Sequence, residues 1–518
     1  MIKRQIAAFL LISTVLTALT GCKSAEKEEQ IMQNSSVAAI EQAVPSPTAT
    51  QLTLSKAFSK NMVLQREENC RIWGFSTDPD GAVVTAEING VKGSGVVEDG
   101  RWEVMLPPME ANTTPGNLIV RGAGDCYQVV TNVLIGDVWF TNGQSNMDYN
   151  MEIVKNWETE KSKIKSSDHI RYFYQNKYAL YRDAECRDRK YPEYIENERE
   201  DVLEMIGWQP MSSINTSAMS AIGYYFAKAI IDTTENQIPI GIVMVSSGGS
   251  TLNQLTPANV NLKYGFTSDK NDSSYIYNNF MAPFEPMAMK GMLFYQGESD
   301  SYYLEGGDRS QIDTYAQRVA DYVAELRKRC GNTKNKNFPF YFVQLASHPD
   351  YDHFHIRELR VAQHRSAALI PNSAVITAMD LGVSQEDLEA GADWMHPWDK
   401  APLAERLASV ALKELYGREG ERCPIAVDCA FNGNDAIVTF TDVGSGLKTA
   451  DGGALKGFEV YDGENWTAAQ AVIESKNTVR VKGAKEGVRY GYFDMAPLTR
   501  ANLINSRDYA CGTFFYEK

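Results

Sequence analysis

One short stretch, residues 136–147, constrains this chain more than any other; it reads GDVWFTNGQSNM. An apolar run over residues 133–140 reads as a buried strand, and it stops at Asn142-Gly143-Gln144-Ser145. A serine hydroxyl is thereby put on a tight turn at the carboxyl end of a strand. In open α/β sheets, ligands bind at that place. A serine there, with its backbone N–H aimed into the crevice, has the geometry of an activated nucleophile. On spacing alone, a turn serine capping the next helix is the simpler account, because Gly-x-Ser is common.

The pattern around the stretch supplies a fold. Residues 240–245, 292–295, 338–345 and 374–379 are short, apolar runs rich in β-branched or aromatic side chains. Strands buried on both faces of a parallel sheet look like this. Helical periods lie between them, at 218–231, 312–329, 356–370 and 401–416. The alternation predicts an α/β domain with a doubly wound parallel sheet and right-handed crossovers, over residues 135–420. An insertion at about 150–211 is rich in charge and tyrosine and carries no clear period. Residues 52–134 and 421–518 have short runs broken by Gly, Asp and Asn turns, which predicts a β-sandwich-like module on either side.

The amino end reads as a processing signal. Lys3 and Arg4 precede an apolar run from Ile6 to Leu19, and Leu19-Thr20-Gly21-Cys22 looks like a bacterial lipobox. The run is short for a membrane span and ends in small residues. The expectation is a leader over 1–21, a lipid on Cys22, and a polar tether over 22–51 that holds the folded part off the outer face of a bacterial membrane, the alternative being an ordinary cleaved signal and a secreted or periplasmic protein. Losing Lys3 and Arg4 takes the formal charge from −15 to −17, which excludes nucleic acid as a natural partner, since phosphates need a basic surface. Of the remaining cysteines, Cys423 and Cys429 are near enough in sequence to pair in an oxidising compartment. No Cys/His spacing reads as a zinc site.

A serine nucleophile needs a base at neutral pH. The chain has six histidines, and Asp393-Trp394-Met395-His396 sets a carboxylate three residues before an imidazole. In one loop, Asp393 could hold Nδ1–H while Nε2 faces Ser145. Asp380, at the end of the run 374–379, is the rival acid. Asp399 is a weaker one, at a helix start. His348, His353 and His355 read as substrate-side or surface residues. Donors for a tetrahedral oxyanion are the Ser145 N–H, the backbone of Gly248-Gly249 after the run 240–245, and the Gln296 side-chain amide. What favours this reading is that three expected strand ends converge on one crevice.

Four blocks in order carry a family resemblance: 136–147; SSGGSTLNQLTP at 246–257; YNNFMAPFEPMAMKGMLFYQGESD at 277–300; and DWMHPWDKAPLAERLA at 393–408. They resemble the sialate O-acetylesterase family of SGNH hydrolases, over a likeness running from about Leu52 to the carboxyl terminus. The resemblance implies catalytic Ser145, Asp393 and His396, and an oxyanion hole from Ser145, Gly249 and Gln296, braced by Gly248 and Glu298. It implies no cofactor. It also implies an O-acetylated glycan substrate cleaved through an acetyl-serine. Sialic acid, acetylated xylan and other plant glycans all fall within its range, and a non-catalytic glycan-binding lipoprotein is the reading from another class. The chain departs from the pattern in three places: Ser247 stands for a tryptophan, Asn253-Gln254-Leu255 for Glu-Ala-Trp, and Asp300 for an asparagine.

Overall fold

The computed structural model describes residues 51–164, 167–175, 205–267, 273–302, 308–348 and 353–518. The expected leader, Cys22 and the tether to residue 50 lie outside these, as do residues 176–204 of the insertion, including Cys186.

A single strand, β1 (Tyr127–Gly143), organises the molecule. Its first six residues are exposed but for Val130 and the half-buried Asn132, and this part of the strand pairs antiparallel with Asn112–Arg121, while from Val133 to Gly143 every residue is buried. The change marks where β1 leaves a one-sided antiparallel sheet and enters a sheet covered on both faces. In chain order the next strands are β2 (Ser167–Gln175), β3 (Met205–Met211), β4 (Ile240–Met244), β5 (Gly291–Tyr295), β6 (Phe340–Gln344) and β7 (Ser373–Thr377). Their spatial order is β3-β2-β4-β1-β5-β6-β7, all parallel except β3. The chain goes from β1 out to β2 and β3, returns to β4 beside β1, and then crosses to β5, β6 and β7 on the other side, so the carboxyl end of β1 is the topological switch point.

Helices α1 (Ala221–Thr233), α2 (Tyr315–Arg329), α3 (Ile356–Leu369) and α4 (Ala401–Leu415) lie within three residues of the expected spans. α1 packs on α4 and α2 on α3. α1 lies against β4 and β2, and α3 and α4 both lie against β7.

Two expectations change. The boundary between 134 and 135 falls inside β1. The amino-terminal strands share one sheet and one apolar core with the α/β layer, so Val84 and Trp102 belong to the same cluster as Ile242 and Phe342. The insertion also supplies β2, a strand of the main sheet. Its period was hidden by Arg171, whose fully buried guanidinium donates to the carbonyls of Asn132 and Met62. The carboxyl-terminal strands from Ile425 form two four-stranded antiparallel sheets around a second core. Cys423 and Cys429 are free thiols rather than a pair. Among the described residues no helix is long and apolar enough to cross a membrane.

β1 ends under tight constraint. Gly143 has φ +139°, and a Cβ there would lie 2.0 Å from the Tyr295 carbonyl oxygen of β5. Gly143→Ala is expected to lower stability by about 3 kcal/mol through strain and backbone displacement. Urea denaturation checks this; a loss under about 0.5 kcal/mol would show that β1 and β5 can part without penalty.

Candidate active site

Ser145 opens a short helix, Ser145–Asp148, directly after β1. The turn is tied down from behind. Gln144 N–H donates to the Tyr295 carbonyl, and the Gln144 Oε1 accepts from the N–H groups of Gly297 and Ser299, each at 3.2 Å. The Ser247 N–H donates to the Gly143 carbonyl at 3.0 Å, which straps the loop after β4 against the same turn.

The His396 Nε2 lies 2.7 Å from the Ser145 Oγ. On the other side of the ring, Nδ1 lies 3.3 Å from the Asp393 Oδ2. Asp393 also accepts the Met395 N–H at 2.7 Å, a local turn that fixes the carboxylate. The hydrogen bond from His396 holds the Asp393 carboxyl below the usual aspartate range. Its side chain is 56 % exposed, so solvent screens much of that pairing. Asp380 is elsewhere engaged: its two oxygens accept from the Arg406 guanidinium at 2.8 and 2.6 Å, in a pair that is almost wholly buried. Asp399 is exposed and accepts the Ala401 N–H at the start of α4, as a helix-start acid should.

Around the hydroxyl, the backbone N–H groups of Ser145, Gly248 and Gly249 donate to no described group. A Cβ on Gly248 would sit 3.8 Å from the Ser145 Cβ, and Gly249 is in the left-handed region at φ +75°. These donors are therefore open to a ligand oxygen beside Ser145.

Gln296 is not. Its amide is fully buried and donates to Asp300 and to the Ser250 carbonyl, while its Oε1 accepts from the Tyr315 hydroxyl at 2.9 Å. The expected oxyanion donor is instead a brace between the strand end and Asp300. Asp300, whose burial pushes its carboxyl up, faces the buried Arg318 at 3.4 Å and caps the Leu252 N–H at 2.7 Å. An aspartate suits this place because a buried cation stands opposite.

Two residues were missed. Asn146, fully buried, donates to the Glu298 Oε1 and to the Met395 carbonyl, and its Oδ1 accepts from the Lys400 Nζ at 2.6 Å. One amide thus joins the Ser145 turn, the loop after β5 and the His396 loop. Lys400 is 2 % exposed, and its ammonium lies 4.5 Å over the Tyr149 ring, which stacks on His396 at 6.2 Å. Burial holds Lys400 down to about 7 and pushes the Glu298 carboxyl up. Asp-Lys-Ala-Pro at a helix start reads as solvent-facing, so no local signal separates Lys400 from a surface lysine.

The three histidines expected on the substrate side part company. His348 is buried beneath Trp394 and pushed down to about 4 by that burial, while His353 is exposed and His355 begins α3. Among the described residues no cluster of three His, Cys, Asp or Glu could hold a metal.

Comparison with known proteins gives a class and then a family. The fold matches the crystal structure of a carbohydrate acetylesterase from Xanthomonas citri, with TM-score 0.72 and 26 % identity over 90 % of this chain and 99 % of that one. The sialate O-acetylesterases of Homo sapiens and Rattus norvegicus are each 26 % identical, over 402 and 425 residues. These alignments take in 70 and 69 % of this chain, and 70 and 72 % of the relatives. Residues 135–396 match the family model for carbohydrate esterase, sialic acid-specific acetylesterase, and the chain belongs to that family.

Lys400 makes stability depend on pH in a defined direction. Its folded pKa lies below the unfolded 10.5, so between about 7 and 10.5 the unfolded chain binds more protons and stability rises with pH. The difference in unfolding free energy between wild type and Lys400→Met should increase from pH 7 to pH 10. Urea denaturation of both proteins across that range checks it; a constant difference would mean the ammonium is not desolvated.

Proposed function

We propose that the protein is a serine esterase that removes O-acetyl groups from carbohydrates through an acetyl-serine. One observation carries the reading: Ser145 Oγ, His396 and Asp393 lie in hydrogen-bonding sequence at the switch point of the sheet, beside open backbone donors. Family membership supports the acetyl-sugar substrate.

In this reading His396 takes the Ser145 proton as the oxygen attacks the acetyl carbonyl, and Asp393 holds the imidazole in the required tautomer. The oxyanion is received by the N–H groups of Ser145 and Gly248 or Gly249. The sugar alkoxide leaves with the proton from His396, and water then resolves the acetyl-serine by the same route. The Lys400–Asn146–Glu298 cluster keeps the three loops in register.

Acetate release from acetylated oligosaccharide and from p-nitrophenyl acetate tests the assignment. Ser145→Ala should lose at least about 10³-fold in kcat, and retention of activity would sink the mechanism. Asp393→Asn should lose about 10²-fold, less than a buried triad acid would, because solvent screens it. Asp380→Asn should unfold about 3 kcal/mol more readily yet keep most kcat/KM below its transition, since it breaks only the Arg406 pair. A loss of activity matching that of Asp393→Asn would return the acid role to Asp380.

We also propose that Cys22 carries a lipid that tethers the enzyme to the outer face of a membrane, on the strength of the Leu19-Thr20-Gly21-Cys22 motif and its leader. Metabolic labelling with palmitate should mark the wild-type chain and not Cys22→Ser; equal labelling would reject it.

A further inference from the structure

The esterase reading leaves a band of aromatic surface unexplained. Trp394 lies within the Asp393–His396 turn, beside the reacting groups. Its ring is braced on two sides, edge-to-face with Phe354 at 5.7 Å and with the buried His348 at 6.0 Å. Phe354 in turn meets Tyr302 edge-to-face at 5.2 Å, and the two residues form an isolated β-bridge. Tyr302 follows the 3-10 turn Ser299–Ser301, whose Ser299 hydroxyl donates to the Gly249 carbonyl at 3.1 Å. The band therefore runs from the histidine loop to the edge of the proposed oxyanion hole. Tyr302 is 47 % exposed, and Phe354 and Trp394 are half-buried. A contiguous half-exposed aromatic band in a reaction cleft marks a ligand surface. Rings locked by edge contacts offer flat faces at little entropic cost, the complement of the C–H face of a pyranose.

Charge around the band narrows the sugar. The Arg309 guanidinium is paired with Glu358 at 2.7 Å and Asp313 at 3.5 Å, and Arg357 with Asp494 at 3.0 Å. The His355 Nδ1 faces Glu358 at 3.6 Å, and the Lys400 Nζ is spent on Asn146 beneath the site. Asp393 stands at the open end, 56 % exposed. At each of these described groups a ligand carboxylate would have to displace an existing pair, and it would approach Asp393; the exposed His353, edge-to-face with Tyr302 at 6.1 Å, is a further basic side chain at the band.

Resting on the esterase reading, we propose that Tyr302, Phe354 and Trp394 form the wall that holds the substrate's sugar, and that this sugar is a neutral O-acetylated pyranoside. Specificity then comes from ring stacking rather than from an ion pair.

The test compares three esters with the full chain: partially acetylated xylooligosaccharide, 9-O-acetyl-N-acetylneuraminic acid and p-nitrophenyl acetate. Wild type should favour the neutral oligosaccharide over the anionic sugar by about tenfold or more in kcat/KM. For Trp394→Ala, and for Tyr302→Ala outside the histidine loop, the ratio of kcat/KM on the oligosaccharide to that on p-nitrophenyl acetate should fall about tenfold, mostly through KM. The proposal is overturned if both esters lose activity in parallel, or if the anionic sugar is preferred. No acetate release from either glycan also overturns it. In that case p-nitrophenyl acetate turnover, with Ser145→Ala as blank, decides whether the esterase reading falls too.

Discussion

The pairing of β1 with β5 is the contact on which the rest of the site depends. Asn142 lies opposite Phe294 and Gly143 opposite Tyr295, so the two strands end together. Only glycine permits the approach at Gly143, where a side chain would meet the Tyr295 carbonyl. That same carbonyl accepts the Gln144 N–H, which turns the chain and lifts Ser145 out of the sheet. The loop after β5 then begins one residue later and brings Gln296, Glu298 and Asp300 beneath the turn. A close backbone contact thus fixes which residues become neighbours, and the side-chain network follows from it.

What could be read in advance were features set by local geometry. A buried strand running into a turn that carries Ser145 is visible in a dozen residues, and so is the three-residue spacing of Asp393 and His396. Strands β4, β5 and β6 are apolar but for Gln344 at the end of β6 because both faces are covered, and composition alone reveals that. Features set by remote partners were hidden. Gln296 looked like an open amide because nothing in its neighbourhood announces Tyr315 or the Ser250 carbonyl. Nothing in the sequence near Lys400 marks it as buried, because Asn146, its acceptor, is 254 residues away. β2 looked irregular because Arg171 interrupts an apolar run, and its partner Asn132 belongs to another part of the chain.

The departures from the family pattern have different physical weights. Asp300 in place of asparagine is matched inside the fold by Arg318, itself buried with its guanidinium 4.4 Å over the Phe266 ring. This is an exchange of a neutral amide for a buried ion pair, with the Leu252 N–H and the Gln296 amide taking the remaining lone pairs of the carboxylate. Ser247 in place of tryptophan lies on the loop strapped to Gly143, and it removes aromatic surface from that side of Ser145. Part-exposed aromatic rings near the site stand on other loops, at Tyr149, Trp394, Phe354 and Tyr302.

This arrangement divides the work of holding His396. Asp393 supplies the hydrogen bond to Nδ1 but stands mostly in solvent, where an ion pair contributes little to rigidity. The ring is also held from its face by Tyr149, itself seated against the buried Lys400 ammonium. Cation, phenol and imidazole form one stack whose lowest member is anchored to Asn146, the residue next to Ser145. Ser145 and His396 are therefore held by the same buried cluster, from below, while Asp393 stands open to solvent on the other side of the ring.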